Sequence, residues 1–350
     1  MTSLPSPSRL PSGFFQALPG DFPPRDVQDL MAWPFFSLAK TPRFVPIDLT
    51  MGDVSIRVEA SHERGMATIW DSDILIWAAS QIIEARDSGL RTSPFMVATP
   101  REILTFIGRG TGARDYGRLR AALARLQSTT VRTSLRRRRD SQLRGFSWLN
   151  EWRELRAPLQ GHAGRVEIVL PDWFYTALLD DGLILRIDPA YFRLTGGLER
   201  WLYRLVRKHA GQQRQGWRFT FEHLHEKSAT LSGFARFAAD LRELVRRQSL
   251  PGYDLTIEGD PDRQETLVFR PSDLSTGGGG RPVRHRVLSG VEHRVPSIGI
   301  TACYQSKKGS IQSGESTGCE ALNLDSNYKE SNCTDGGRPE NGGKPSGRAS

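Results

Sequence analysis

Apolar positions along the chain fall into two successive series with the same order of predicted elements. In the first, FVPIDL (Phe44 to Leu49) and VSIRVEA (Val54 to Ala60) flank the turn TMGD. The second segment alternates apolar and polar residues, so the pair reads as a β-hairpin. MATIW (Met66 to Trp70) is a further short β-prone stretch. Asp71 or Ser72 can then cap a helix through DILIWAASQIIEARDSG, with Ile74, Trp77 and Ile82 on its apolar face and Gly89 at its end. Thr99, Pro100 and Glu102 have the spacing of a capping box with proline at the first helical position. Leu104, Phe106 and Ile107 supply the buried side of that helix. After RGTGARDY, Tyr116, Leu119, Leu123 and Leu126 recur at helical spacing from about Ala113. QSTTVRTSL switches to β-branched residues and predicts a strand, with VEIVLP (Val166 to Pro171) as its expected mate.

The second series begins with DWFYTALLDDGLILRID and a helix over Leu198 to Ala210. FTFEHLHEKSA (Phe219 to Ala229) predicts a short helix with Thr220 near its cap. A turn containing Ser232 and Gly233 leads to a helix over Phe234 to Gln248, whose stripe is Phe237, Leu241, Leu244 and Val245 together with Phe234. YDLTIEGDPDRQETLVFR predicts a hairpin with GDPD as its turn. Helix, turn, basic helix and β-hairpin, found twice, predict an α+β chain of two tandem winged helix-turn-helix domains. Residues 30–170 form the first and 171–270 the second. A Pro/Ser-rich N-terminal arm (residues 1–29) and a Gly/Ser-rich tail (residues 271–350) are expected to be flexible.

Charge adds a partner class. The 350 residues carry a formal net charge of +9, which favours a polyanion or an anionic surface. Arginine suits fork-like contacts to phosphate and to guanine edges, although a GC-rich gene produces the same bias. Position is the better argument, because the basic residues cluster on two predicted helices and one loop. Cys303, Cys319 and Cys333 all lie in the tail with neither a disulfide framework nor zinc-site spacing. No window approaches ~18 uninterrupted apolar residues, so a membrane partner is not expected. The N-terminus is a poor signal peptide, and a cytoplasmic location is expected.

Double-stranded DNA is therefore the leading candidate partner. On the first basic helix Arg114 and Arg118 lie four apart near its start, and Arg120 and Arg125 stand on neighbouring angles. Arg109 and Thr111 precede the helix, where amides at a helix N-terminus favour phosphate. Arg132 lies on the following strand, and Arg136, Arg137, Arg138 and Arg139 form a basic loop suited to backbone contacts. In the second series Ser232, Arg236, Arg242, Arg246 and Arg247 are the corresponding candidates. The competing reading of both helices is a solvated, arginine-rich surface. Catalytic chemistry has little support. GRGTG (Gly108 to Gly112) lacks the GK[ST] ending of a phosphate loop and follows a helix. His223 and His225 beside Glu222 and Glu226 do not make HExxH, and Asp71 and Asp73 sit where helix caps belong. No cofactor or metal is expected.

Four segments carry a resemblance to a known family. They are DLMAWPFFSLAK (Asp29 to Lys40), GMATIWDSDILIWAASQI (Gly65 to Ile82), FIGRGTGARDYGRLRAALARLQSTTVRTSL (Phe106 to Leu135) and FSWLNEW (Phe146 to Trp152). The chain from about Asp29 to Arg270 resembles the plasmid replication initiator protein A family of Gram-negative bacteria. That resemblance implies a non-enzymatic initiator that binds repeats at a plasmid origin and helps open adjacent duplex. It also implies recruitment of host machinery, including DnaA and the replicative helicase, and analogy with more distant two-domain winged-helix initiators adds a homodimer that represses its own gene. A plasmid-encoded repressor or copy-number regulator using the same DNA-binding units is the alternative.

Overall fold

The computed structural model describes residues 13–136, 144–155, 164–210, 216–259 and 264–272. Arg137, Arg138, Arg139 and the tail from residue 273 lie outside them. The segment expected to be a flexible arm is already built into the fold from Gly13. Strand β1 (Phe15–Gln16) pairs in parallel with Met96 and Val97, and β2 (Arg25–Val27) pairs antiparallel with residues 184–186. Two further amides of the segment are met by side chains: Leu18 N donates to Gln81 Oε1 at 2.7 Å and Arg25 N to Ser80 Oγ at 2.9 Å. Local composition predicts none of this, because every partner is about 55 residues or more away and a Pro/Ser-rich segment has no periodicity of its own.

Helix α1 (Gln28–Ala32) follows, then the hairpin of β3 (Ile47–Met51) and β4 (Val54–Glu59), in register Leu49 to Ile56 as the alternation requires. MATIW forms no strand; only Thr68 makes an isolated bridge, to Ser37. Helix α2 (Asp73–Asp87) is buried on nearly every side, more than one apolar stripe would predict. Strand β5 (Phe95–Ala98) leads to α3 (Pro100–Phe106), whose capping box is complete: Glu102 N donates to Thr99 Oγ1 at 3.2 Å and Thr99 N to Glu102 Oε2 at 2.7 Å. Gly108, at φ 66°, takes the left-handed turn that ends α3. Helix α4 (Ala113–Ser128) buries Leu119, Ala122, Leu123 and Leu126.

The strand after α4 has a different mate from the one expected. β6 (Thr130–Thr133) pairs with β4 and with β7 (Arg144–Ser147), giving a sheet ordered β3-β4-β6-β7. β8 (Glu151–Leu155) and β9 (Arg165–Val169) form a separate hairpin, and β9 pairs on its other side with β5. Strands β6 and β7 thus stand in sequence between α4 and the β8–β9 hairpin. Strand propensity identifies β6 and β9 but cannot choose between mates.

The second half runs α5 (Asp172–Leu178), β10 (Ile184–Arg186), α6 (Gly197–Ala210), β11 (Trp217–Thr220), α7 (Phe221–Ser228), α8 (Phe234–Arg247), β12 (Tyr253–Glu258) and β13 (Thr266–Pro271). Thr220 Oγ1 caps α7 by accepting from His223 N at 3.2 Å. The sheet order is β11-β13-β12. From α2 to β9, with β6 and β7 set aside, and from α6 to β13, the order is helix, strand, helix, helix, strand, strand. In each case the first strand pairs with the last. The result is a mixed α/β fold, and the described residues of both halves belong to one compact unit.

Two features join the halves. Phe35 and Phe36 pack on Trp148 at centroid distances of 5.5 and 4.9 Å, and Phe146 stacks on Trp173 at 4.7 Å. Trp77, Trp148 and Trp201 are buried in the core, with Trp70 and Trp152 half-buried against it. Beside them lie two buried ion pairs. Arg200 Nη1 of α6 meets Asp73 Oδ1 at 2.7 Å with both side chains 0% exposed, and Arg204 Nη2 meets Asp26 Oδ2 at 2.7 Å. Arg200 also donates to the carbonyls of Leu194 and Phe192, and Arg204 to Ser72 Oγ. Burial pushes the Asp73 and Asp26 carboxyls up, and the facing guanidiniums oppose that shift.

Breaking one side of such a pair strands a buried charge. Asp73→Ala is expected to cost about 3–5 kcal/mol in urea unfolding. A loss below ~1 kcal/mol would show that the pair does not hold the halves together. A pH effect arises at the end of α6. The His209 ring lies 5.1 Å from Phe219 and 5.7 Å from Trp217, and its buried Nε2 has no hydrogen-bond partner among the described residues. Burial, helped by Lys208, Lys227 and His223, pushes its pKa down from 6.5 to about 3. Between those values the unfolded chain binds the proton and the folded chain does not, so this residue makes stability rise with pH. Relative to His209→Phe, the native protein should lose urea resistance between about pH 7 and about pH 5. Parallel losses in both proteins would assign the pH dependence elsewhere.

Candidate nucleic-acid interface

Helix α4 divides into three faces. Its apolar stripe is buried, and a second side carries Asp115, Arg118 and Arg125. The outward face carries the exposed Ala113 and Gly117 and the half-buried Ala121 and Ala124. A Cβ built on Gly117 would meet nothing within 4 Å. A mid-helix glycine costs about 0.5–1 kcal/mol relative to alanine, and no intramolecular contact accounts for it here. On α8, where Phe237, Ala238, Leu241 and Leu244 are buried, Ala235 and Ala239 are similarly exposed. Both helices therefore present small side chains outward, bordered by arginines.

Those arginines differ in how firmly the protein already holds them. Arg114 is exposed and has no carboxylate partner among the described residues, and Thr111 is exposed beside it. Arg118 makes only a 3.4 Å contact to Asp115. Arg120 forms a fork with Glu154 of β8 at 2.7 and 2.8 Å, tying the helix to the hairpin. Arg125 is 27% exposed and grips Asp71 with two bonds of 2.8 and 2.7 Å. Arg109 reaches back to the buried Asp73 at 3.2 Å. On α8, Arg236 pairs with Asp240 at 3.1 Å, while Arg246 and Arg247 share Glu243. Arg242 makes a fork to Glu265 at 2.8 and 2.5 Å. Ser232 is exposed at the helix entrance, where its carbonyl meets His225 Nε2 at 2.8 Å.

Two other candidates stand away from both helices. Arg132 lies on β6 directly across from Arg57 and pairs with Glu59 at 3.0 Å, in a charged ladder on the open face of that sheet. Arg136 is not part of an exposed loop. It sits at φ 56°, meets Asp29 at 2.8 Å, lies 3.5 Å above the Trp173 ring and donates to the Trp173 carbonyl. Burial pushes its pKa below the ordinary arginine value and that of Asp29 above the usual carboxylate range. Sequence reasoning missed the carboxylates that hold these arginines. Asp71 and Asp73 read as helix caps, and nothing in local spacing links them to Arg125 and Arg200.

Exposed pairs such as Arg118–Asp115 and Arg246–Glu243 are worth roughly 0–1 kcal/mol, so a phosphate can displace the carboxylate. Arg125 and Arg136 are held by two or more contacts in half-buried surroundings and are less free to turn outward. Among the described residues no group of three or more His, Cys, Asp or Glu side chains could hold a metal ion. None of the helices described is long and apolar enough to cross a membrane.

Residues 25–255 match the family described as replication initiator protein A. A "Putative replication protein" of Wigglesworthia glossinidia brevipalpis is 29% identical over 228 residues, covering 64% of this chain and 82% of the relative. The crystal structure of domains 2 and 3 of RctB superposes with a TM-score of 0.52 at 16% identity, covering 69% of this chain and 98% of that one. At that identity the likeness is one of fold. The chain belongs to the replication initiator protein A family.

Proposed function

We propose that this protein binds repeats in double-stranded DNA at a plasmid origin and starts replication without a catalytic step of its own. The carrying observation is the repeated helix–strand–helix–helix–strand–strand order, each time ending its helical part in a helix with a small, arginine-bordered outward face. In this reading the two assemblies are tandem winged helices, and α4 and α8 are the helices that enter the major groove. Arg114 and Arg118 read base edges at the start of α4, and Thr111 holds a phosphate. Arg120, Arg236, Arg246 and Arg247 contact the backbone once their carboxylates are displaced. Gly117 lets the α4 backbone approach the duplex closely. Opening of adjacent duplex, a homodimer, and recruitment of DnaA and the replicative helicase belong to the same proposal and rest on the family alone.

The direct test is the footprint of the protein on the complete plasmid that carries its gene. Protection of regularly spaced direct repeats beside an AT-rich region is the expected result. Protection over a promoter alone would favour a repressor. At residue level, Arg114→Ala with Arg118→Ala should reduce discrimination between target and random DNA by about 1–3 kcal/mol. An equal loss on both DNAs would sink the base-reading assignment. Gly117→Leu should leave the fold intact, since space is open there, yet weaken DNA binding at least about tenfold if the backbone approaches the groove. Undiminished affinity would place the DNA on another face.

A further inference from the structure

Beside the inner flank of α4 lies a cavity of about 250 Å³ whose apolar floor, and whose rim at Lys40 and Arg64, the DNA reading does not use. It is bounded by α4, α3, the start of α2, the RGTG turn and the loops around Lys40 and Arg64. Its floor is aliphatic: Met66, Ile74, Leu104, Ile107, Leu119 and Ala122. Each of these is nearly inaccessible in itself, so the floor is a fixed part of the core and not a loose surface. The half-buried Trp70 makes one wall, with Lys40 Nζ 5.6 Å from its ring centroid.

The rim is strongly cationic. Lys40, Arg64, Arg109, Arg118 and Arg125 line the cavity against only two lining carboxylates, Asp71 and Asp115. Three of the cations are engaged, Arg125 with Asp71, Arg118 with Asp115, and Arg109 with Asp73. Lys40 and Arg64 are exposed and have no carboxylate within 4.0 Å among the described residues. A concave apolar floor with a few convergent charges is the usual form of a small-molecule site. A purely polar anion gains nothing from the floor, and a neutral apolar molecule leaves the cations unmet.

We propose that this cavity binds a small amphipathic acid, with its hydrocarbon body on the aliphatic floor and its acidic group between Lys40 and Arg64. Covering the ligand's hydrocarbon on the floor supplies affinity, and the two cations that have no carboxylate among the described residues set the sign of charge accepted. Because α4 and the RGTG turn are walls of the cavity, its occupant touches the elements that carry Arg109 and Arg118. The site goes beyond the DNA reading and does not depend on it.

Isothermal titration of the full-length protein with octanoate and with octylamine tests this. Octanoate is expected to bind with one-to-one stoichiometry, and octylamine, with the same chain and the opposite charge, not to bind. Replacing Lys40 and Arg64 with glutamine should weaken octanoate binding about tenfold or more while leaving the thermal unfolding midpoint unchanged. Ala122→Leu, which fills the floor without touching the rim, should abolish it. Should that variant fail to fold, the Lys40/Arg64 pair carries the test alone. Equal binding of both amphiphiles, no saturable octanoate binding, or octanoate binding unaffected by the Lys40/Arg64 substitutions would each overturn the proposal.

Discussion

The carboxylate of Asp73 is the point on which the arrangement of this protein depends. It is fully buried at the first turn of α2 and is shared by Arg200 of α6 and Arg109 of the turn that leads into α4. An unpaired charge there would cost several kcal/mol, so the carboxylate and its guanidiniums are tolerated only together. The neighbouring pair of Arg204 with Asp26, braced by Ser72, adds the N-terminal segment to the same centre. One set of polar contacts thus joins the helix under the first basic helix, the helix that opens the second assembly, and the strand that precedes both. Apolar packing of Phe35, Phe36, Trp148 and Trp173 supplies the adhesion. The hydrogen-bonded Arg200–Asp73 pair supplies direction, because that guanidinium has to meet its carboxylate in a narrow geometry.

Arginine is abundant in this chain, but abundance is a poor guide to availability. Arg125, Arg136, Arg200 and Arg204 hold the fold together, while Arg120 and Arg242 tie a helix to a hairpin or to its approach. Among the described residues Arg114 is left without a carboxylate, and Arg118, Arg236, Arg246 and Arg247 are held only by weak pairs along their own helices. A polyanion arriving at α4 or α8 would therefore meet a graded surface. Some cations are immediately free, some are exchangeable at a cost of roughly 0–1 kcal/mol, and some are committed to the protein.

The placement of β6 and β7 shows how the fold accommodates extra chain without changing the order of its parts. These strands extend the sheet of β3 and β4 and leave β8 and β9 to pair with β5. An exposed fork between Arg120 and Glu154 links the hairpin to α4 across the intervening strands β6 and β7. The basic run that follows Arg136 begins from an anchored residue, held between Asp29 and the Trp173 ring.

Local signals determined the local structure. The Thr99–Pro100–Glu102 box, the apolar stripes of α4 and α8, the cap at Thr220 and the hairpins β3–β4 and β12–β13 all follow from patterns within a few residues, where helix and strand periodicities are set. The order of parts was legible for the same reason, while the family was legible from the resemblance of whole segments such as Phe106 to Leu135. Only the tertiary structure decided that the chain from Gly13 packs into the core, that β6 joins β4 and not β9, and which arginines face outward. Those outcomes rest on partners far apart in sequence, such as Asp73 and Arg200 at a separation of 127 residues. Charge pairing across such distances has no periodicity to read, because it is fixed by where folded elements meet.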